Sequence, residues 1–209
     1  MKISKIRPTF LSYCLFITFI MICNTQTTFS AEQKNQTKLQ IEQFFKNFKT
    51  LEADFIQVSP SGKINNGKIF LDLPGKLRID YNKPNNLLIT CKGFWIVIQN
   101  RDLKSTNNIP LSQTPFSILL ENKIDFNNKD LIMNFQKKLG IISIKINLVE
   151  NIQAGELLLE FSEKPFILKK WIIRDIVGDK TTVLIQNTRL NQKLPFTIFF
   201  PDDFPEPNI

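Results

Sequence analysis

The sequence contains no histidine. That excludes a Ser-His-Asp or Cys-His relay, a His-ligated zinc and a histidine pH switch. Cysteine is scarce, with three in 209 residues at Cys14, Cys23 and Cys91. Two of them fall in the first thirty residues, so a chain that loses that segment keeps Cys91 and no internal disulfide. A lone cysteine in a strand-like run reads as a small buried hydrophobe. Glycine is scarce at 7, and neither GxGxxG nor GxSxG occurs. The nearest approach to a phosphate loop is Gly62-Lys63-Ile64-Asn65-Asn66-Gly67-Lys68. Ile69 follows where a magnesium-binding hydroxyl is needed, and Ile69-Phe70-Leu71 continues as a strand instead of opening a helix, so the segment reads as a hairpin. Phenylalanine is the abundant residue, at 19.

The first thirty residues read as a cleaved export signal, with residues 31–209 as a single domain. Lys2, Lys5 and Arg7 form a positive start with no acid nearby. Phe10 to Cys23 is an apolar run interrupted by Ser12 and Thr18, shorter than the ~20 residues a membrane helix needs. Thr28-Phe29-Ser30 ahead of Ala31 is a small-x-small cleavage signal, which places the expected mature start near Ser30/Ala31. The alternative, a lipidated Cys23, meets the large Ile22 where processing needs a small residue. Losing three cations and no acid lowers the formal charge from +8 to +5. No Lys/Arg run with interleaved aromatics occurs, so nucleic acid is not an expected partner.

After the signal, residues 33–50 read as an amphipathic helix: Ile41, Phe44, Phe45, Phe48 and Leu51 recur at three- and four-residue steps. Short strands follow, separated by turn signals. They are expected at Ala53–Ser59, Lys68–Leu73, Lys76–Tyr81, Leu87–Cys91, Trp95–Gln99, Leu131–Gln136, Ile141–Val149, Glu156–Ser162, Leu168–Ile176, Thr181–Thr188 and Thr197–Phe200. The spacing predicts a mainly β (α+β) chain, an antiparallel meander curled into a barrel or half-barrel. One segment, Thr114 to Glu121, reads as a short helix, with Thr114 as its cap and Pro115 in the first turn. Ile141–Ile146 and Trp171–Ile173 look apolar on both faces, as if helices rest on the concave side. Asp202, Asp203 and Glu206 read as a solvated acidic tail, not as a rigid catalytic pair. No catalytic residue, metal ligand or cofactor is therefore expected, and an apolar guest is the expected ligand.

The order of motifs resembles the LolA-type periplasmic carriers of outer-membrane lipoproteins. Phe55-Ile56-Gln57 is similar to the family's F-x-Q. Pro74-Gly75-Lys76-Leu77-Arg78-Ile79-Asp80-Tyr81 through Pro84 is similar to its P-G-x-(apolar)-R-(apolar)-x-Y-x-x-P signature. Lys92-Gly93-Phe94-Trp95 resembles its D-G hairpin with Lys for Asp. Thr114-Pro115-Phe116 with Leu119-Leu120 looks like its internal helix, and Leu194-Pro195-Phe196 with Phe199-Phe200-Pro201 looks like its C-terminal strand.

The resemblance implies an unclosed half-barrel of about eleven strands with short helices as a lid over an apolar cavity. It implies a monomeric carrier of acylated lipoproteins, loaded by an inner-membrane ABC exporter and unloaded at an outer-membrane lipoprotein receptor. Cavity and lid residues are then expected among Phe44, Phe48, Leu77, Ile79, Tyr81, Trp95, Val97, Phe116, Leu119 and Leu120. The family usually places Arg before the Pro-Gly as a lid latch; here Leu73 stands there and cannot donate those bonds. Rival readings are a lipidated receptor-type relative, a generic periplasmic lipid-binding protein, and an exported lipid- or glycan-acting enzyme.

Overall fold

A computed structural model describes residues 31–120, 131–148 and 155–204. The expected signal segment and Glu206 lie outside these residues. The chain divides into Met1–Asn35 and Gln36–Ile209.

Helix α1 spans Ala31–Asn47. The strands are β1 (Thr50–Val58), β2 (Ile64–Asp72), β3 (Lys76–Tyr81), β4 (Leu87–Lys92), β5 (Trp95–Asn100), β6 (Ser105–Pro110), β7 (Leu131–Lys138), β8 (Ile141–Leu148), β9 (Glu156–Ser162), β10 (Ile167–Arg174) and β11 (Lys180–Leu190). Between β6 and β7 lie a 3-10 turn, Leu111–Gln113, and helix α2, Phe116–Leu120. A second 3-10 turn covers Phe196–Phe199.

All eleven strands form one sheet in the order β6-β5-β4-β3-β2-β1-β11-β10-β9-β8-β7. Among the described residues every strand pairing is antiparallel, and β1 and β11 join its two halves at the centre. The sheet is unclosed: its edges, β6 and β7, are consecutive in sequence, and the segment joining them carries α2.

Alternation sets which face each strand buries. Along β3, Leu77, Ile79 and Tyr81 are buried while Lys76, Arg78 and Asp80 are only partly so. In β8 the same rule buries Ile142, Ile144 and Ile146 completely and leaves Ile141 37% exposed. That strand is therefore one-sided, and the expectation of two apolar faces there is corrected. These residues join Ile41, Phe45 and Phe48 of the α1 region and Ile118, Leu119 and Leu120 of α2 in one core cluster. Gly67 lets β2 and β3 pair beside Phe55. A Cβ there would stand 2.0 Å from the Asp80 carbonyl oxygen and 2.9 Å from Phe55 Cε1.

Two other expectations are corrected, and one strand lies outside those expected. The helix stops at Asn47, and Thr50 already opens β1. The Asn191 side chain fixes this junction: Asn191 Nδ2 donates to Asn47 O at 3.0 Å, and Asn191 Oδ1 accepts from Lys49 N at 2.9 Å. β6, Ser-Thr-Asn-Asn-Ile-Pro, was not expected, because a polar edge strand shows no apolar alternation. Thr197–Phe200 is expected as a strand, but Thr197–Phe199 falls in the second 3-10 turn, which packs against β3 and β4, and Phe200 caps that turn. Phe199 is fully buried there, as are Leu88 and Thr90 on β4, outside the main core cluster. Proline at 195 and 201 keeps this segment from continuing a ladder.

Candidate apolar binding site

The concave face holds a cavity of about 200 Å³. Its walls are Phe55 and Gln57 of β1, Ile69 of β2, Ile79 and Tyr81 of β3, Ile89 of β4, Trp171 and Ile173 of β10, and Thr181 and Val183 of β11. Phe116 of α2 also lines it. The Phe116 ring meets Trp171 edge-to-face, with centroids 6.1 Å apart, and Phe55 meets Tyr81 in the same way at 5.1 Å.

Polar groups in the lining are few. Tyr81 Oη donates to Gln57 Oε1 at 2.7 Å. Burial disfavours the phenolate and pushes the Tyr81 pKa up to about 12, against a smaller lowering from the Gln57 bond. Trp171 is 1% exposed, and its Nε1 has no hydrogen-bond partner among the described residues. Among the described residues no three His, Cys, Asp or Glu side chains gather to hold a metal ion. The site can enclose apolar matter; it displays no nucleophile–base pair.

Of the residues expected from sequence, the cavity brings together Ile79, Tyr81 and Phe116, with Phe55 and Gln57 of the family motif. Leu77, Leu119 and Leu120 are buried in the core around it. Phe44 and Phe48 lie elsewhere, in a surface groove of about 390 Å³ with Phe166 and Leu190. Their rings stack at 5.2 Å, and Phe44 also meets Phe161 at 5.0 Å. Trp95 and Val97 lie outside the cavity lining. β5 turns Ile96 and Ile98 toward the core, which leaves Trp95 54% exposed on the opposite parity. Ile69, Ile89, Trp171, Ile173, Thr181 and Val183 line the cavity outside the expected set; strand parity counted from Leu71 and Trp171 reaches Ile69 and Ile173, and no local signal marks the others.

The lid is attached through the main chain. Gly75 N–H donates to Leu120 O at 2.7 Å, tying the β2–β3 turn to α2. Leu73 supplies no side-chain donor; its own N–H bonds Lys49 O at 2.8 Å. Pro74 and Pro84 flank β3, each after a cis peptide bond. Thr114 does not cap α2 as expected: its hydroxyl donates back to Leu111 O at 2.9 Å. Instead, the main-chain carbonyls of Thr114 and Pro115 accept from Ser117 and Ile118 N–H.

Arg78, the signature arginine, works on the outer face. It bonds Asp80 Oδ2 through Nη2 at 2.6 Å and Ile198 O through Nη1 at 2.9 Å. Arg101 bridges Asp80 at 2.5 Å and Asp202 at 2.6 Å. Gln99 adds a two-way pair with the Asp202 main chain, at 2.7 and 2.8 Å. Asp202, expected in a loose tail, is thus held on the sheet. Burial raises the Asp80 pKa, but the bonds from Arg101 and Arg78 outweigh it and hold the carboxyl below its ordinary 3.8.

A family model described as "Outer membrane lipoprotein carrier protein LolA" matches residues 46–202. An outer-membrane lipoprotein carrier protein of Coxiella burnetii is 22% identical over 170 residues, covering 77% of this chain and 80% of that one. An uncharacterized protein of Rickettsia prowazekii is 27% identical over 133 residues, 63% of this chain; the match spans 62% of that protein's length. Among solved structures, a LolA superfamily protein from Nitrosomonas europaea aligns with a TM-score of 0.44 at 10% identity, over 79% of this chain and 97% of that one. The lipoprotein LppX of Mycobacterium tuberculosis aligns with a TM-score of 0.41 at 10% identity, over 79% and 99%. With its single unclosed sheet of eleven strands and a family match across three quarters of its length, this chain belongs to the LolA family of outer membrane lipoprotein carrier proteins.

Proposed function

We propose that residues 31–209 form a monomeric periplasmic carrier that holds the acyl chains of lipoproteins and ferries them from the inner to the outer membrane, after cleavage of residues 1–30. An ABC exporter loads it and a receptor unloads it. The observation that carries this reading is Phe116, a lid side chain that lines a mainly apolar cavity.

The energetics require such a lid. A sixteen-carbon chain has about 14 methylenes, so burying it is worth on the order of 11 kcal/mol at ~0.8 kcal/mol each. Two or three chains in a rigid open pocket would approach the practical affinity limit near −20 kcal/mol and never leave. A cavity of about 200 Å³ is smaller than ordinary small-molecule pockets of ~300–1,000 Å³. Cargo must therefore displace the lid, and the contacts that Phe116 loses offset part of what the cargo gains.

The test is Phe116→Asp. A carboxylate at the cavity wall opposes acyl burial, while half-buried Phe116 is not a core keystone. Loading with an acylated lipoprotein should fall more than tenfold with the cooperative thermal transition preserved. Unchanged loading would detach α2 from the cargo.

A further inference from the structure

On the outer face, at the end of the sheet nearest α2, aromatic and basic side chains gather outside the cavity. Phe94 is 85% exposed at the tip of the two-residue β4–β5 loop. The loop is held in shape: Gly93 sits at φ +95°, Gly93 N–H bonds Gly75 O at 3.0 Å, and Phe94 O accepts from Leu111 N–H at 2.8 Å. Phe196 and Phe200 are also exposed and pack edge-to-face at 5.3 Å. Lys92 Nζ lies 4.0 Å from the Phe200 ring centre and 4.6 Å from that of Phe196, and Lys76 Nζ lies 5.5 Å from Phe196. Lys76 pairs with Asp72, but among the described residues Lys92 has no carboxylate partner.

Single exposed apolar residues need no explanation; a rigidly presented cluster does. We infer that this patch, Phe94, Phe196 and Phe200 with Lys92 and Lys76, docks the protein on an anionic phospholipid surface. Aromatic rings favour the boundary between headgroups and acyl chains, and ammonium groups on long stems meet the phosphates above it. The basic character of the cluster selects the occupant: an anionic bilayer supplies apolar matter and negative charge in one plane. Gly75 links the patch to the lid, since its carbonyl accepts from Gly93 and its N–H donates to Leu120. Docking would therefore bring the lid's anchor to the membrane. This inference does not rest on the cargo reading, because none of the five residues lines the cavity.

The test is co-sedimentation of the exported protein, its N-terminus defined by intact mass, with two kinds of vesicle. One is phosphatidylcholine alone, the other phosphatidylcholine and phosphatidylglycerol in equal parts. The protein should bind the anionic vesicles at least tenfold more tightly than the neutral ones, and less tightly as salt rises. Phe94→Ser and Lys92→Gln, both at exposed positions, should each weaken that binding at least fivefold while uptake of a fluorescent fatty acid stays unchanged. Equal binding to both vesicles, no binding, or wild-type binding by Phe94→Ser would overturn the inference and leave the patch to a protein partner. Failure of fatty-acid uptake in the wild type would instead count against the cavity.

Discussion

If the lid competes with cargo, removing its ring should weaken the empty protein and strengthen binding. Phe→Ala at a fully buried site costs about 3–5 kcal/mol. Phe116 is half-buried and touches Trp171 edge-on at 6.1 Å, so about 2 kcal/mol is the expected loss in the empty state. In the loaded protein the acyl chain already stands where the ring stood, and little of that contact remains to lose. The difference reappears as affinity: about 1.4 kcal/mol retained gives roughly tenfold tighter binding. Urea unfolding of Phe116→Ala without ligand reads the first quantity; titration with a fluorescent acyl probe reads the second. Lower stability with an affinity unchanged or reduced would refute lid competition, because the ring would then be part of the bound wall and not a rival to the guest.

Alkaline pH tests Tyr81. Its folded pKa of about 12 exceeds the unfolded value near 10, so its contribution is intact below pH 10 and is lost as pH rises toward 12. About 2–3 kcal/mol should disappear across that window in urea unfolding, and Tyr81→Phe should flatten the slope. Acid tests Asp80, whose lowered pKa gives stability present above 3.8 and lost as pH falls through the folded value; Asp80→Asn should cost about 1 kcal/mol at neutral pH and weaken the acid dependence. Phe199→Ala should remove about 3–4 kcal/mol, seen as a Tm drop of several degrees, because this ring is fully buried where the C-terminal 3-10 turn covers β3 and β4. An unshifted Tm would show that the turn contributes nothing to the fold.

Much of the sheet was legible because alternation survives wherever one face is buried. β3 and β9 match their expected bounds residue for residue. The polar edge strand β6 has no buried face to write a pattern, and so it left none. In β5 the run Trp-Ile-Val-Ile is apolar on both parities, so the sequence alone does not separate Trp95 and Val97 from the core-facing Ile96 and Ile98. Phe196–Phe199 has strand composition, but its flanking prolines and the Arg78 bond to Ile198 turn it into a cover for the outer face. The grip of Arg101 and Gln99 on Asp202 spans about a hundred residues of sequence, and no local pattern encodes a pairing of that range.

The most direct measurement is mass analysis of what accompanies the protein when it is purified from the periplasm, beside Phe116→Asp prepared in the same way. The account predicts acylated lipoprotein bound to the wild type and depleted from the variant. Recovery of free fatty acid or phospholipid alone, or equal lipoprotein on both proteins, would contradict it.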